Sequence, residues 1–227
     1  MAHRLKRILL GVVVGGLVVT AGIWMLIHSL GAHEAMFQGK PLDFWVTQLQ
    51  SHQSAASNAA CVVLEQVAIP QLIQIMFNDT NDSKFRVMLV EQLNSLPGVT
   101  ILFIPADGRR AEAARDLGSL GSGAKAAVPS LVKALKGTDG AVRGPSALAL
   151  GRIQSQPESI IPLLIGLIDD PQGDVPEAVV EALGDFGPLS KAAVPKIMPL
   201  LRAPEKGLRH AANLAIQKID PHALEQK

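Results

Sequence analysis

The chain has 227 residues, of which 21 are Lys or Arg and 20 are Asp or Glu, so its net charge at pH 7 is +1. This balance excludes the concentrated positive charge on which binding to nucleic acid depends. The single cysteine excludes an intramolecular disulfide, and the length is sufficient for one continuous hydrophobic core.

The first predicted element is a helix that spans a membrane. Residues 8–27 are an apolar run of 20 residues in which Thr20 is the only clearly polar side chain, and about 20 apolar residues are enough to cross the hydrocarbon core of a bilayer. We therefore assign residues 8–30 to a transmembrane signal-anchor helix. A cleaved signal peptide is the alternative, but its apolar region is normally shorter, and Leu30-Gly31-Ala32 matches a cleavage site poorly.

The charges on either side of this helix predict its orientation. Residues 1–7 contain three of the 21 cations and all 20 acidic residues follow the span, so the remainder of the chain has a net charge of −2. Positive charge on the N-terminal flank keeps that flank in the cytoplasm, which places residues 31–227 on the periplasmic side of an inner membrane. Gly11 and Gly15 form a GxxxG spacing, which either pairs such helices weakly or arises by chance in a span rich in Gly and Val.

A linker at residues 31–40 and a helical domain at 41–227 are predicted after the span. Two helix pairs are predicted in the first half of this domain: 44–50 with 55–67, and 70–77 with 84–96. The apolar spacing in these stretches is helical, but the pairs do not keep a common period.

Residues 98–108 interrupt the helical pattern. Their sequence, GVTILFIPADG, is too apolar for a solvated linker and too rich in β-branched residues for a favourable helix. We expect this insertion to replace the first helix of the repeat whose second helix covers 110–120. Two conformations remain open, an irregular strand-like segment packed on the domain or a degenerate short helix. Phe103, near the centre of the run, is a candidate for contact with a partner.

From residue 110 onwards the sequence repeats with a constant period, which is the separation of Gly118 from Gly151. Two rows of residues keep this period: Gly118, Gly151, Gly184 and Gln217, and Pro129, Pro162 and Pro195. Apolar residues at i, i+3, i+4 and i+7 from the start of each unit predict a helix of about three turns, with the proline in its first turn. A polar break and a second apolar stripe complete each unit. A constant period of this length indicates stacked units, here of two antiparallel helices each.

Three segments carry a family resemblance. AAVPSLVKALKGTDGAVRGPSALALGRI (126–153) and AAVPKIMPLLRAPEKGLRHAANLAIQKI (192–219) resemble HEAT repeats of the short bacterial type, similar to those named after phycobilin lyases. GKPLDFWVTQL (39–49) is similar to the start of the first repeat in membrane-anchored bacterial HEAT proteins. The resemblance covers roughly 41–221 and is strongest from Ala111. It implies an all-α fold, an α-solenoid of about five antiparallel, HEAT-like helix pairs after a single N-terminal transmembrane helix.

The sequence contains no recognisable catalytic, cofactor-binding or metal-binding motif. The six histidines are scattered without metal-ligand spacing, and nucleophile-elbow, phosphate-loop and dinucleotide motifs are absent. The recurring charged feature is an acid in a turn with an arginine on the next helix: Asp82 and Arg86, Asp139 and Arg143, Glu205 and Arg209. The resemblance implies that these pairs hold the stack of repeats in register. The alternative is a row of arginines that faces the carboxylates of a ligand, although Pro176 interrupts that row.

The resemblance implies a function without catalysis. An α-solenoid of this type is expected to be a membrane-tethered scaffold that binds another protein, with a concave face lined by the second helices. The candidate partner-binding residues are Arg143, Arg209, His210 and Phe103, and no cofactor is expected. The alternative is a lyase-like or other enzymatic module that acts on a small ligand, because bilin lyases share the HEAT-like unit. No cluster of titratable residues favours the enzyme.

Overall fold

The computed structural model describes residues 36–49, 60, 62–80, 82, 87–88, 90–92 and 104–224. The chain divides into two units: a larger one formed by Ala35–Thr80 and Ala106–Lys227, and a smaller one formed by Met1–Glu34 and Asn81–Pro105. The predicted anchor at 8–30, with Gly11 and Gly15, lies outside the described residues. Within the described ranges no helix is long and apolar enough to cross a membrane.

The larger unit opens with a short hairpin and one helix: β1 (Met36–Phe37), β2 (Lys40–Pro41) and α1 (Leu42–Leu49). Phe37 pairs with Lys40 across the antiparallel hairpin, and its side chain is buried. The indole Nε1 of Trp45 in α1 donates a 2.8 Å hydrogen bond to the carbonyl of Phe37. The end of the predicted linker at 31–40 is therefore packed against the helical domain.

The helix that follows α1 is continuous across the point where the sequence predicts one helix to end (55–67) and another to begin (70–77). From Val62 the backbone stays helical through one wider, π-helical turn (Leu64–Ala68) and directly into α2 (Ile69–Asn78). Pro70 has no N–H to donate and lies within the first turn of α2. A wider turn tolerates a missing donor at this point, so the proline does not end the helix.

The partner of α2 is α3 (Ala106–Ser119), which packs against it. α2 is therefore a neighbour of α3, and the last three residues of the predicted insertion at 98–108 form the first turn of α3. Most of the helix predicted at 84–96, and all of 98–103, lie outside the described residues. The segment 79–105 thus lies between two helices that pack against each other, and the predicted pairing of 70–77 with 84–96 stays a prediction.

Three further helix pairs follow along the chain. They are α4 (Val128–Leu135) with α5 (Gly140–Ile153), α6 (Pro157–Gly166) with α7 (Val175–Asp185), and α8 (Val194–Ile197) with α9 (Lys206–Ile219). Short 3-10 segments accompany them at Gly121–Ala127, Gly187–Ala193, Met198–Arg202 and Pro221–Leu224. The predicted apolar stripes are buried or half-buried. Five of their members have a relative exposure of 0%: Leu131, Leu150, Leu164, Leu183 and Ile216. The described helices thus agree with the predicted α-solenoid.

Prolines change two of the first helices. α6 begins at Pro157, so Pro162 lies inside the helix rather than in its first turn. α8 is only four residues long and continues as the 3-10 segment Met198–Arg202. Pro199 has no N–H for a bond to the preceding turn, which explains why the predicted three-turn helix at 194–201 is not formed.

The row of glycines lies where successive second helices touch. A Cβ atom built on Gly151 of α5 would be 2.7 Å from the Cα of Ala182 in α7, a distance that real Cβ contacts do not show. Gly118 and Gly184 meet the next second helix in the same way. Gln217, the fourth member, is exposed on α9 and donates from Nε2 to Oδ1 of Asn213 at 2.8 Å. The glycines therefore permit the close stacking of α3, α5, α7 and α9.

Candidate functional site

Charged side chains connect the turns of successive repeats. Arg110 in α3 binds Asp139 in the turn before α5, with 3.1 Å between Nη2 and Oδ2. Arg143 in α5 binds Asp170 in the turn before α7. Asp139, predicted to pair with Arg143, instead accepts a second hydrogen bond from the N–H of Ala141 and caps α5. These pairs therefore link one repeat to the next, which is the role that the resemblance implies.

The last two positions of the arginine row make no such link. Pro176 replaces the arginine at the start of α7. Arg209 in α9 donates from Nη1 to the carbonyls of Ala203 and Pro204, both at 2.7 Å, rather than to the carboxylate of Glu205. Arg209 thus stabilises the turn of its own repeat. Arg86, the remaining arginine of the predicted pairs, lies outside the described residues.

Lysines connect the first helices of neighbouring repeats at two places. Lys133 of α4 holds its Nζ atom 4.9 Å from the centroid of the Phe77 ring in α2, within the range of a cation–π interaction. Lys196 of α8 donates from Nζ to Oδ2 of Asp169 at 2.8 Å and to the carbonyl of Ile165 at 3.2 Å. In both places the lysine side chain covers the end of the preceding first helix.

Between α4 and α6 this connection is missing. The position one full period after Lys133 is Gly166, and the position one full period before Lys196 is Leu163. A groove of about 330 Å³ remains at this place, bounded by the end of α4, the start of α5 and α6. We term it the α4–α6 groove; its lining includes Leu135, Lys136, Arg143, Leu163, Gly166 and Leu167.

The lining of the groove contains two cationic side chains among apolar residues. Lys136 is exposed, whereas the side chain of Arg143 is only 12% exposed. Nη1 of Arg143 donates to Asp170, while its Nε is buried and has no hydrogen-bond partner among the described residues. Lys136 and Arg143 are the only ionisable residues of the lining. The groove can therefore attract an anionic group, but it brings no acid and base together.

The structure distributes the predicted partner-binding residues over separate places. Arg143 lines the α4–α6 groove, whereas Arg209 and His210 belong to α9, where His210 is exposed. Phe103 lies outside the described residues. Lys136 and Gly166 were not singled out from the sequence. Gly166 could have been identified from the sequence by comparing the positions of lysines in successive repeats.

Among the described residues there is no group of three or more His, Cys, Asp or Glu side chains that could hold a metal ion.

Comparison with known proteins adds one family. Residues 105–184 match the family model described as HEAT repeats. This range contains α3 to α6, all of α7 except Asp185, and the lining of the α4–α6 groove. No curated protein matches the chain. The match shows HEAT repeats in this part of the chain and supports the prediction of a HEAT-repeat protein.

Proposed function

We propose that this chain is a membrane-anchored HEAT-repeat scaffold, which binds another protein through the surface of its solenoid and performs no catalysis. HEAT repeats in general suggest a protein-interaction scaffold. The observation that carries the proposal is the α4–α6 groove, an open site with two cations and apolar walls.

The form of this site favours binding over chemistry. Its ionisable lining residues are both cations, and general acid–base catalysis needs groups that can exchange a proton near neutral pH. The guanidinium of Arg143 can hold an anion through charge-assisted hydrogen bonds. The groove lies beside two successive first helices, α4 and α6, and not on the second helices that were expected to line a concave binding face.

The membrane anchor is the second part of the proposal. Its support is the sequence of residues 8–27 and the three cations before it. The proposed protein lies in an inner membrane with residues 1–7 in the cytoplasm and the solenoid on the periplasmic side. The partner would then be a periplasmic protein or the exposed domain of another membrane protein.

The scaffold function is tested by cross-linking the tagged full-length chain in intact cells and identifying the proteins that co-purify with it. A chain that carries only residues 1–40 and the tag is the control, because it shares the anchor but lacks the solenoid. We expect a protein that is enriched only with the full chain and that binds the purified full chain directly. Failure of every enriched protein to bind directly, or turnover of a small molecule by the purified chain, would contradict the proposal.

A further inference from the structure

We infer, on the basis of the proposed function, that the α4–α6 groove binds a short segment of the partner protein in which an Asp or Glu side chain stands next to an apolar side chain. The carboxylate meets Lys136 and Arg143, and the apolar side chain packs against the leucines of the wall. This assigns both a binding site and the chemistry of its ligand.

The first argument compares the first helices α4, α6 and α8. Lys133 of α4 covers the end of α2, and Lys196 of α8 covers the end of α6. Of the three helices only α6 contains no lysine. Gly166 corresponds to Lys133 and Leu163 corresponds to Lys196, which are two different positions of the repeat. The end of α4 therefore receives no lysine side chain from α6, and Lys136, its last exposed cation, has no ion-pair partner in the described part of the chain.

The second argument is the glycine at position 166. A helical glycine destabilises a helix by about 1 kcal/mol relative to alanine, and in this chain other glycines have a steric reason for that cost. A Cβ atom on Gly166 would meet nothing within 4 Å, and its φ is not in the left-handed region. Neither packing nor backbone conformation requires glycine there. The absence of a side chain keeps the groove open.

The third argument concerns charge and size. Of the two cations, Arg143 is paired with Asp170, whose side chain is 3% exposed, whereas Lys136 has no carboxylate partner in the described part of the chain. A second carboxylate at the mouth of the groove balances the remaining charge, and charge-assisted hydrogen bonds of this kind are stronger than neutral ones. A volume of about 330 Å³ is at the lower end of ligand pockets, which run from about 300 to 1,000 Å³. It suits a pair of neighbouring side chains.

The apolar walls of the groove favour an acidic and apolar peptide over a phosphate-rich ligand. Phosphate-rich ligands are held mainly by clusters of Lys and Arg, and two cations among leucines and a proline do not form such a cluster. A polypeptide segment can supply the carboxylate and the apolar group together. The groove therefore fits an acidic and apolar peptide better than a polyanion.

The test uses the purified full-length chain and a positional library of short peptides blocked at both ends. One position is fixed as Asp, Glu, Asn or Gln, and its neighbours are varied. We expect the best acidic peptides to bind about tenfold more tightly than the matching amide peptides, as the loss of a charge-assisted bond predicts. Equal binding of acidic and amide peptides would overturn the inference.

Two pairs of variants locate the site. Gly166→Leu fills the groove and should weaken the best peptide by about tenfold or more, whereas Gly173→Leu, at another glycine with nothing within 4 Å of its Cβ position, should leave binding unchanged. Lys136→Glu should remove the preference for acidic peptides, and Lys125→Glu, an equal charge change at an exposed position outside the groove, should keep it. Thermal unfolding of each variant verifies that it is folded.

The remaining outcomes separate this inference from the proposed function. If no library peptide distinguishes the wild-type chain from Gly166→Leu, the groove assignment is wrong. If N-acetylglutamate alone competes at the same concentration as the best peptide, the ligand is a small carboxylate and the peptide assignment is overturned. Cross-linked partner that is still recovered with Gly166→Leu would leave the scaffold function intact while removing this site from it.

Discussion

Glycine has three different roles in this chain, and the surroundings of each position separate them. Gly151 lies where two second helices meet, so that a Cβ would be 2.7 Å from the backbone of Ala182. Gly187 follows α7 with a φ of 58°, a conformation that costs an L-residue with a side chain about 1–2 kcal/mol. Gly166 has neither constraint. The same substitution should therefore have different signs at these positions.

The first prediction concerns Gly→Ala at the three positions. Gly151→Ala should lower the free energy of unfolding by about 1–3 kcal/mol because the helices must separate, and Gly187→Ala by about 1 kcal/mol because of its left-handed backbone. Gly166→Ala should raise it by up to about 1 kcal/mol. Urea-induced unfolding followed by circular dichroism measures all three. A loss of stability at Gly166 comparable to that at Gly151 would show that the groove is not open.

The second prediction compares two adjacent aspartates. Asp170 is 3% exposed and pairs with Arg143, which is 12% exposed, whereas Asp169 is 75% exposed and pairs with Lys196. Removal of one partner from a buried pair leaves an uncompensated charge, so Asp170→Ala should cost about 3–5 kcal/mol. Asp169→Ala should cost less than about 1 kcal/mol, as exposed pairs do. Unfolding midpoints that fall equally for both variants would refute the burial-based distinction.

At the scale of the element, the second helices form the most regular part of the structure. They are the members of each pair that stack closely on one another, and their glycine and leucine positions recur with the period of the sequence. The first helices differ from one another in length and in their prolines. A defect in a second helix should therefore be felt mainly by its immediate neighbours, as in other solenoids.

The third prediction tests this at Leu183, which is fully buried in α7. Leu183→Ala should cost about 2–5 kcal/mol, as truncations of core leucines do, and hydrogen exchange should accelerate mostly in the C-terminal pairs. Leu189→Ala is the control, because Leu189 is 66% exposed and should change stability by no more than about 0.5 kcal/mol. A cost at Leu183 as small as that of the control would mean that the buried face of α7 is misassigned.

The period in the sequence was sufficient to predict the second helices, because the residues that stack them are themselves periodic. The first helices were predicted less well. Their boundaries depend on whether a proline falls at a helix start or in its interior, and Pro199 shortens α8 where Pro195 does not. The pairing of α2 with α3 was missed because residues 79–105 lie between them and remove the period.

At the scale of the whole molecule, the α4–α6 groove could be predicted only in part. Arg143 was a candidate from its place in the arginine row. The importance of Leu163 and Gly166 appears only from the neighbouring repeats, because Gly166 corresponds to Lys133 of α4 and Leu163 corresponds to Lys196 of α8. A single sequence shows the missing lysine but not the open space that it leaves.

The fourth prediction concerns the proposed membrane anchor. Because residues 8–27 contain no charged side chain, the full-length chain should remain with membranes after washing in alkaline carbonate. A protease added outside the inner membrane should digest the solenoid and spare the N-terminal tail. A soluble form whose first residue lies near position 33 would instead identify the segment as a cleaved signal peptide.

The central claim is that the protein binds a partner at the surface between α4 and α6, and site-specific photo-cross-linking in intact cells tests it most directly. A photoreactive side chain at Pro162, an exposed residue of the groove lining, is compared with one at Glu158, an exposed residue of the same helix outside the lining. We predict a cross-linked protein at position 162 that is absent at 158 and is lost when Gly166→Leu is added. Cross-links of equal yield at both positions, or a product at 162 that survives Gly166→Leu, would contradict the claim.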